Sequence, residues 1–426
     1  MRKAAGGWQA RARGAGVLAL AMGFKALYLH IPFCHARCAY CDFDTRAYST
    51  CELDAAFSIY LEQLTARLDS FGEAGMLADI ETVYIGGGTP SVLGERLPEL
   101  VRRVSRWCSP VEFTCEANPE SFTDELAAAL AEAGVTRISL GVQSLDDAEL
   151  HAIGRIHTAG KALAAIDRAK RYGFSTSCDL MCGLPGQTLE SWGRTLDAAI
   201  TAGPDHVSVY PLQVEEGTPL DRRIEAGELA VPDEDFQADA MELARTRLTA
   251  AVLEPYEVAS YARPGHACRH NIAYWTGKPY LGLGRSAASM FDISQGLSPL
   301  VQSRTVPNGT MGTVPKWTFG GAELPGEGRV RVKQLDDAGV RFETEALTAR
   351  EAMAEDLMLA CRMTAGISAD LLQRAAEVIP TAELRCACER AVSLGLAAWA
   401  GVALTPTNLG WLDGNELFEL FWDLAE

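Results

Sequence analysis

A repeated alternation of short β-rich runs and amphipathic stretches constrains this chain more than any other feature. Six β-rich runs, most of them about 30 residues apart, occupy Ala26–Ile31, Thr82–Ile85, Glu112–Glu116, Arg137–Val142, Ser175–Leu180 and His206–Tyr210. Between them lie stretches with helical spacing of apolar residues, namely Leu53–Phe71, Leu97–Trp107, Asp124–Ala133, Asp147–Tyr172 and Leu189–Ala202. Six successive βα units predict an α/β fold with a parallel sheet and outer helices. A curved, partial (β/α)6 barrel is the favoured form, and a flat doubly wound sheet is the alternative.

Polar motifs follow the ends of these runs, which favours the barrel. They are Cys34 to Cys41, Gly86 to Pro90, Glu116 with Asn118, Gln143 with Ser144, Asp179 with Gly183 to Pro185, and Tyr210 with Gln213. The carboxyl ends of parallel strands meet at one rim, where barrel enzymes build their active sites. The motifs are therefore expected to converge there.

The repeat stops after about residue 220. We predict a barrel core over residues 26–295, a loop-rich linker over 296–349 and a small, mainly helical C-terminal domain over 350–426. Within the last segment, Arg385–Gly395, Ala397–Leu404 and Asn408–Ala425 suggest a helix, a β-ribbon and a helix. That order is compatible with a winged-helix-like fold.

Residues 1–25 form a basic extension with five Lys or Arg and no acid. Its apolar run, Val17 to Phe24, is far shorter than the roughly 20 residues that span a bilayer. We expect a disordered extension or an upstream start codon, with contact at the membrane surface as the alternative.

The net charge of −18 argues against a nucleic-acid partner, because phosphate binding needs concentrated Lys and Arg. Closely spaced cysteines without a disulfide framework suggest the reducing cytoplasm.

Cys34, Cys38 and Cys41 form a C-x3-C-x2-C motif in a polar segment after the first β-run. Thiolates are soft ligands suited to iron–sulfur clusters, whereas structural zinc usually takes four protein ligands. Three cysteines on a [4Fe–4S] cube leave one iron without a protein ligand. The motif therefore predicts a [4Fe–4S] cluster with one open iron.

The segment from Tyr28 through His30 to Cys34 resembles the coproporphyrinogen-oxidase-like branch of radical-SAM proteins, as do Gly86–Ser91, Glu116–Pro119, Leu140–Ser144, Gly154–His157 and Asp179–Gln187. The resemblance is strong from residue 26 to about 290 and implies that the open iron binds S-adenosylmethionine (SAM). The oxidases carry a further Cys two residues after the third, and Phe43 occupies that position here. Phe43 and the His270-Asn-x-x-Tyr-Trp275 motif are instead similar to the haem chaperone family HemW.

This resemblance implies a haem chaperone that transfers haem to an acceptor haemoprotein. The alternatives are an oxygen-independent coproporphyrinogen III oxidase, which decarboxylates propionates oxidatively, and a radical-SAM methyltransferase. The residues that match family contacts to SAM are Tyr28, Tyr40, Gly87, Gly88, Thr89, Glu116, Gln143, Arg155 and Asp179.

His270 is the expected haem ligand, because a neutral imidazole is a common axial ligand of haem iron. His266 and Cys268 are rival ligands, and a packed polar group is the simpler interpretation of His270. Arg285 departs from the family pattern and is expected to add a charge near a ligand wall.

Overall fold

The computed structural model describes residues 23–47, 50–292, 318–319, 322–323 and 328–426. Nearly all of the predicted basic extension, and much of the predicted linker, therefore lie outside the described residues. The predicted domain boundaries stay predictions.

A 12-stranded sheet organises the molecule, in the order β16-β15-β12-β11-β1-β4-β5-β6-β7-β8-β10-β9. Seven adjacent strands are parallel, namely β11 (Tyr280–Leu283), β1 (Ala26–Ile31), β4 (Thr82–Gly87), β5 (Glu112–Ala117), β6 (Arg137–Gln143), β7 (Ser175–Cys182) and β8 (His206–Pro211). The antiparallel flanks are β9 (Glu254–Pro255) and β10 (Ser260–Ala262) on one side, and β12 (Ala288–Asp292), β15 (Arg329–Gln334) and β16 (Phe342–Leu347) on the other. The predicted α/β class with a parallel sheet is confirmed.

The two faces of the parallel strands differ in polarity, as period-two alternation requires. In β6, Ile138 and Leu140 are buried in the main hydrophobic core, whereas Arg137 and Ser139 line an internal cavity. Strands β4 to β8 all contribute side chains to that same cavity. A flat sheet would spread these side chains over a plane, so the parallel strands curve as a partial barrel. Within the described residues its two edges do not pair.

Helices pack outside the strands and cover their apolar face. Before the C-terminal region they are α1 (Thr50–Glu73), α2 (Arg96–Val104), α3 (Asp124–Ala133), α4 (Asp147–Ala152), α5 (Ala159–Arg171), α6 (Leu189–Ala202), α7 (Pro219–Glu225), α8 (Glu234–Ala250) and α9 (Arg269–Trp275). The predicted single stretch over residues 147–172 is two helices. Gly154 separates them with a φ of +75°, a conformation that glycine adopts without steric cost, and Arg155 follows it.

Part of the predicted linker is sheet rather than loop, because β15 and β16 extend the large sheet from the edge strand β12. Short strands also occur at β2 (Phe33–Cys34) with β3 (Arg46–Ala47), and at β13 (Thr318–Phe319) with β14 (Ala322–Glu323).

The C-terminal region is mainly helical, as predicted. It contains α10 (Ala349–Ala360), α11 (Ala369–Val378), α12 (Thr381–Ser393), the ribbon β17 (Ala397–Ala400) with β18 (Ala403–Pro406), α13 (Asn408–Leu412) and α14 (Gly414–Trp422). All of these elements except α13 contribute to a second hydrophobic core. The Trp411 indole donates to the carbonyl of Val258 at 2.9 Å, which ties this region to the barrel.

Candidate functional site

The cysteine-bearing loop is held at both ends. Cys34 lies in β2, which pairs in parallel with β3, and the amide of Arg46 donates to the carbonyl of Pro32 at 2.8 Å. In the middle of the loop, the amide of Ala39 donates to the carbonyl of Ile153 at 3.0 Å. These bonds fix the loop over the carboxyl ends of the strands.

Cys34, Cys38 and Cys41 all line one cavity of about 430 Å³. Burial raises the pKa of the Cys34 and Cys41 thiols, so both are protonated until a metal displaces the proton. Each cysteine of a cubane cluster binds a different iron, so the three sulfurs need not meet at one point. In the described part of the chain, no three His, Cys, Asp or Glu side chains are placed to hold a single metal ion. Three cysteine thiolates, which are soft ligands, fit a [4Fe–4S] cluster with one open iron.

Gly87 and Gly88 bring bare backbone against the cysteine loop. Gly87 has a φ of +115°, and a Cβ on it would lie 2.7 Å from Cε1 of His30. A Cβ on Gly88 would lie 2.6 Å from the carbonyl oxygen of Phe33 and 3.0 Å from Sγ of Cys34. Any side chain here would push the β4 end away from the thiols, so only glycine permits this approach.

Glu116, the residue before the last one of β5, lines the cavity. It accepts hydrogen bonds from the Tyr84 hydroxyl at 2.7 Å and from the Gly87 amide at 3.0 Å. Burial raises the pKa of Glu116 to about 7, although the two hydrogen bonds oppose the rise. The carboxyl therefore changes protonation near neutral pH and is placed to accept from a ligand hydroxyl.

Asp179 lies at the centre of β7 and faces the same cavity. Ser139 donates to it at 2.9 Å and Ser177 at 3.4 Å. Burial raises the pKa of this carboxyl as well. Successive strands thus supply a polar inner wall.

Gln143 and Arg155 complete the wall near the cysteines. Gln143 has a φ of +65°, beside an irregularity in the pairing of β6 with β7, and strained backbone of this kind is concentrated at functional sites. Arg155 donates to Sγ of Cys38 at 3.4 Å, to Asn118 at 2.8 Å and to the Gly141 carbonyl at 2.6 Å. Its Nε is buried without a hydrogen-bond partner.

Tyr40 and Thr89 lie at the same rim. The hydroxyl of Thr89 donates to Sγ of Cys34 at 3.4 Å, and Tyr40 lines the cavity beside the cysteines. Burial raises the pKa of the Tyr40 phenol, which therefore stays neutral. Eight of the nine predicted SAM-contacting residues thus line the cysteine cavity.

Tyr28, the ninth, lines a neighbouring cavity of about 400 Å³ with His30, Phe43, Tyr274 and Tyr280. The two cavities share Phe43, Gly87 and Glu116. Phe43 is 59% exposed. The structure therefore presents an aromatic ring at the opening of both cavities.

His270 is buried inside α9 and lines neither cavity. Its Nδ1 is hydrogen-bonded to Oγ1 of Thr82 at 2.9 Å, and its Nε2 to the hydroxyl of Tyr274 at 3.0 Å. Burial lowers the pKa of the imidazole to about 3. Both nitrogens are engaged within the core, so this arrangement leaves His270 no lone pair for haem iron. The geometry supports the simpler interpretation, a packed polar group.

The rival haem ligands are also engaged. Nδ1 of His266 is hydrogen-bonded to the Ser175 hydroxyl at 3.0 Å, and Cys268 donates to Glu112 at 3.6 Å. Cys268 does line the cysteine cavity. Arg285 forms an ion pair with Asp44, which neutralises the charge that it adds to the wall.

Several cavity residues were not predicted from the sequence, namely Tyr84, Arg137, Ser139, Ser177, His206 and Ser208. A signal was available, because polar residues alternate with apolar ones in β6, β7 and β8. Alternation alone predicts only that one face is polar, and an exposed face would give the same pattern.

Among the helices that the structure describes, none combines the length and apolar character needed to cross a bilayer.

Comparison with known proteins places these features in a family. The radical SAM superfamily model matches residues 28–199. The heme chaperone HemW of Mycobacterium tuberculosis is 42% identical over 282 residues, which cover 63% of this chain and 70% of that protein. The heme chaperone HemW of Bacillus subtilis is 30% identical over 410 residues, 93% of this chain and 99% of that protein.

Among solved structures, the coproporphyrinogen III oxidase HemN of Escherichia coli, a radical SAM enzyme, superposes with a TM-score of 0.73. The match covers 95% of this chain and 92% of that one, at 20% sequence identity. At this identity the likeness concerns the fold alone.

Proposed function

The chain belongs to the HemW family of radical-SAM proteins, and on that premise we propose that it is a haem chaperone. In this proposal it holds a [4Fe–4S] cluster and SAM, binds haem, and passes the haem to an acceptor haemoprotein. The observation that carries the proposal is the convergence of three cysteines and the SAM-contacting candidates on one cavity.

The proposed cluster ligands are Cys34, Cys38 and Cys41, and the open iron would take the amino and carboxylate groups of SAM. Bound together, the cluster and SAM supply one-electron chemistry. The bare backbone of Gly87 and Gly88 suits the close approach of a ligand beside Cys34. Glu116 and Asp179 suit contacts to ligand hydroxyls, because a carboxylate accepts two or more hydrogen bonds.

The remaining SAM candidates act at the edges of this site. The Arg155 guanidinium is a permanent cation beside Cys38, where it would compensate the negative charge of the cluster and of the SAM carboxylate. Thr89 supports Cys34 from the opposite side. Gln143, Tyr40 and Tyr28 line the walls of the two cavities and would limit how the ligand lies.

Haem is proposed as the cargo, and Phe43 is the residue that supports a porphyrin contact. Its exposed ring, next to Tyr28, Tyr274 and Tyr280 in the second cavity, offers apolar surface on which a macrocycle can stack. The haem ligand remains unassigned by geometry. His270 stays a prediction from the family motif, because both of its nitrogens are hydrogen-bonded in this structure.

The second candidate function is an oxygen-independent coproporphyrinogen III oxidase, which the fold would accommodate. Phe43 argues against it, because the oxidases of this branch carry a cysteine at that position.

The proposed location of the protein is the cytoplasm, since three free thiols in one loop need a reducing compartment. Peripheral contact with the membrane through residues 1–25 is the alternative. The acceptor is a protein, and the net charge of −18 disfavours nucleic acid as a partner.

One anaerobic experiment separates the candidates. Reconstituted protein should contain about four irons per chain and shift the Soret band of added haem. With SAM, a reductant and coproporphyrinogen III, it should form no protoporphyrinogen, whereas a known oxidase run alongside should. Turnover comparable with that of the oxidase would refute the chaperone proposal.

A matched pair of variants tests the porphyrin surface. Phe43→Ala should weaken haem binding about tenfold, which corresponds to roughly 1.4 kcal/mol of lost aromatic contact. Trp399→Ala is the control, because Trp399 is also an exposed aromatic residue, 50% exposed, but lies on the C-terminal ribbon. Equal affinity in the Phe43 variant and the wild type would exclude this surface.

A further inference from the structure

A continuous chain of side-chain hydrogen bonds joins two of the three cysteine sulfurs. The Thr89 hydroxyl donates to Sγ of Cys34 at 3.4 Å, and Nδ2 of Asn118 donates to Oγ1 of Thr89 at 3.0 Å. From the other side, Nη1 of Arg155 donates to Sγ of Cys38 at 3.4 Å, and Nη2 donates to Oδ1 of Asn118 at 2.8 Å. Asn118 is the central member of this chain, because its amide bonds to both Thr89 and Arg155.

The direction of every bond in the chain is fixed by chemistry. A guanidinium has only donors, so the Asn118 atom that faces Arg155 must be the amide oxygen. The amide nitrogen then faces Thr89 and can only donate, so Oγ1 of Thr89 must accept. The hydroxyl proton of Thr89 is thereby left for Cys34. The amide of Asn118 thus orients the Thr89 hydroxyl and the Arg155 guanidinium so that each donates to a cysteine sulfur.

The backbone also holds Asn118 in place. It follows the end of β5, and its amide donates to Oγ of Ser91 at 3.2 Å, while Ser91 pairs with Ser121 at 2.6 Å. A Cβ on Gly141 would lie 2.8 Å from Oδ1 of Asn118, so the glycine leaves room for the amide. The side chain is therefore positioned from three sides.

We propose that Asn118 is a positioning residue that sets the reduction potential of the cluster by directing the Thr89 and Arg155 donors at Cys34 and Cys38. Hydrogen bonds to cysteine sulfurs stabilise the more negative, reduced cluster and raise its potential. This inference rests on the proposed function, since it requires the cluster.

The test is a potentiometric titration of the reconstituted full-length protein without SAM. Asn118→Leu keeps the number and branching of the side-chain heavy atoms but removes both hydrogen bonds of the amide. It should make reduction about tenfold less favourable, which is a fall of about 59 mV for a one-electron couple. Thr89→Val should lower the potential as well, because it deletes the donor to Cys34. In the Thr89→Val background, Asn118→Leu should lower the reduction potential by less than it does in the wild type, because both residues act through the hydroxyl proton of Thr89.

Asn408→Leu is the matched control. It makes the same substitution at an exposed asparagine on α13, away from the cysteine cavity, and it should leave the potential unchanged. Should Asn118→Leu not retain the cluster, Asn118→Asp replaces it. A carboxylate still accepts from Arg155 but cannot donate to Thr89, so the hydroxyl of Thr89 turns away from Cys34. The potential should fall, and Thr89→Val should add little to it.

Failure of the inference is distinguishable from failure of the proposed function. A wild-type protein that binds no cluster after reconstitution would refute the proposed function. A wild-type protein with about four irons, together with an Asn118 variant of unchanged potential or fully additive shifts, would refute the role of Asn118 alone.

Discussion

Glu116 should make the stability of the cluster-free protein depend on pH in a way that one substitution removes. Burial raises the pKa of Glu116 from 4.5 to about 7. The folded state therefore binds a proton between these values that the unfolded state has released. This stabilisation is fully present below pH 4.5 and is lost as the pH rises through 7.

The magnitude follows from the two pKa values. Between pH 5 and pH 8, the contribution of Glu116 should fall by about 2.5 kcal/mol. Glu116→Gln has the same size, lacks the ionisation and keeps an acceptor for the Gly87 amide. The free energy of unfolding of the variant, relative to that of the wild type, should therefore increase by about 2.5 kcal/mol from pH 5 to pH 8.

The assay is urea unfolding of both proteins, followed by tryptophan fluorescence at several pH values from 5 to 8. Other titrating groups are common to both proteins and cancel in the difference. Parallel stability profiles for wild type and Glu116→Gln would refute the raised pKa. If the wild type instead gained stability relative to Glu116→Gln as the pH rises, the hydrogen bonds from Tyr84 and Gly87 would outweigh burial.

Three further predictions concern other parts of the chain. His270→Ala should destabilise the protein by about 3 kcal/mol in urea unfolding, because it leaves the Thr82 and Tyr274 hydroxyls buried and unpaired; normal stability with a lost Soret shift would instead establish His270 as the haem ligand. Cys38→Ser should abolish cluster and SAM binding but retain the circular dichroism of the fold, and a normal [4Fe–4S] spectrum would contradict the assignment. Deletion of residues 2–23 should leave iron content and haem affinity unchanged, and a large loss of either would show that the extension takes part in binding.

Local patterns predicted the strands well, because strand identity here depends on neighbouring residues. The first and last residues of β1 matched the prediction, and β4 to β8 began at the predicted residues. The seventh parallel strand, β11, was not predicted. It pairs with β1, more than 250 positions away in the sequence, after the regular βα spacing has ended. β15 and β16 were missed for a similar reason, since they follow a Gly/Pro-rich segment and depend on pairing with β12.

The sequence by itself determined the βα repeat, the spacing of Cys34, Cys38 and Cys41, and the family to which the motifs point, because each depends on residues close together in the chain. Only the tertiary structure decided where individual side chains face. A motif places His270 beside Tyr274 but does not reveal that Thr82, from a different strand, engages its other nitrogen. The link from Cys34 to Cys38 through Asn118 likewise joins residues from separate βα units. Such contacts arise only when the parallel strands bring their carboxyl ends to one rim, where residues distant in the chain come within hydrogen-bonding distance.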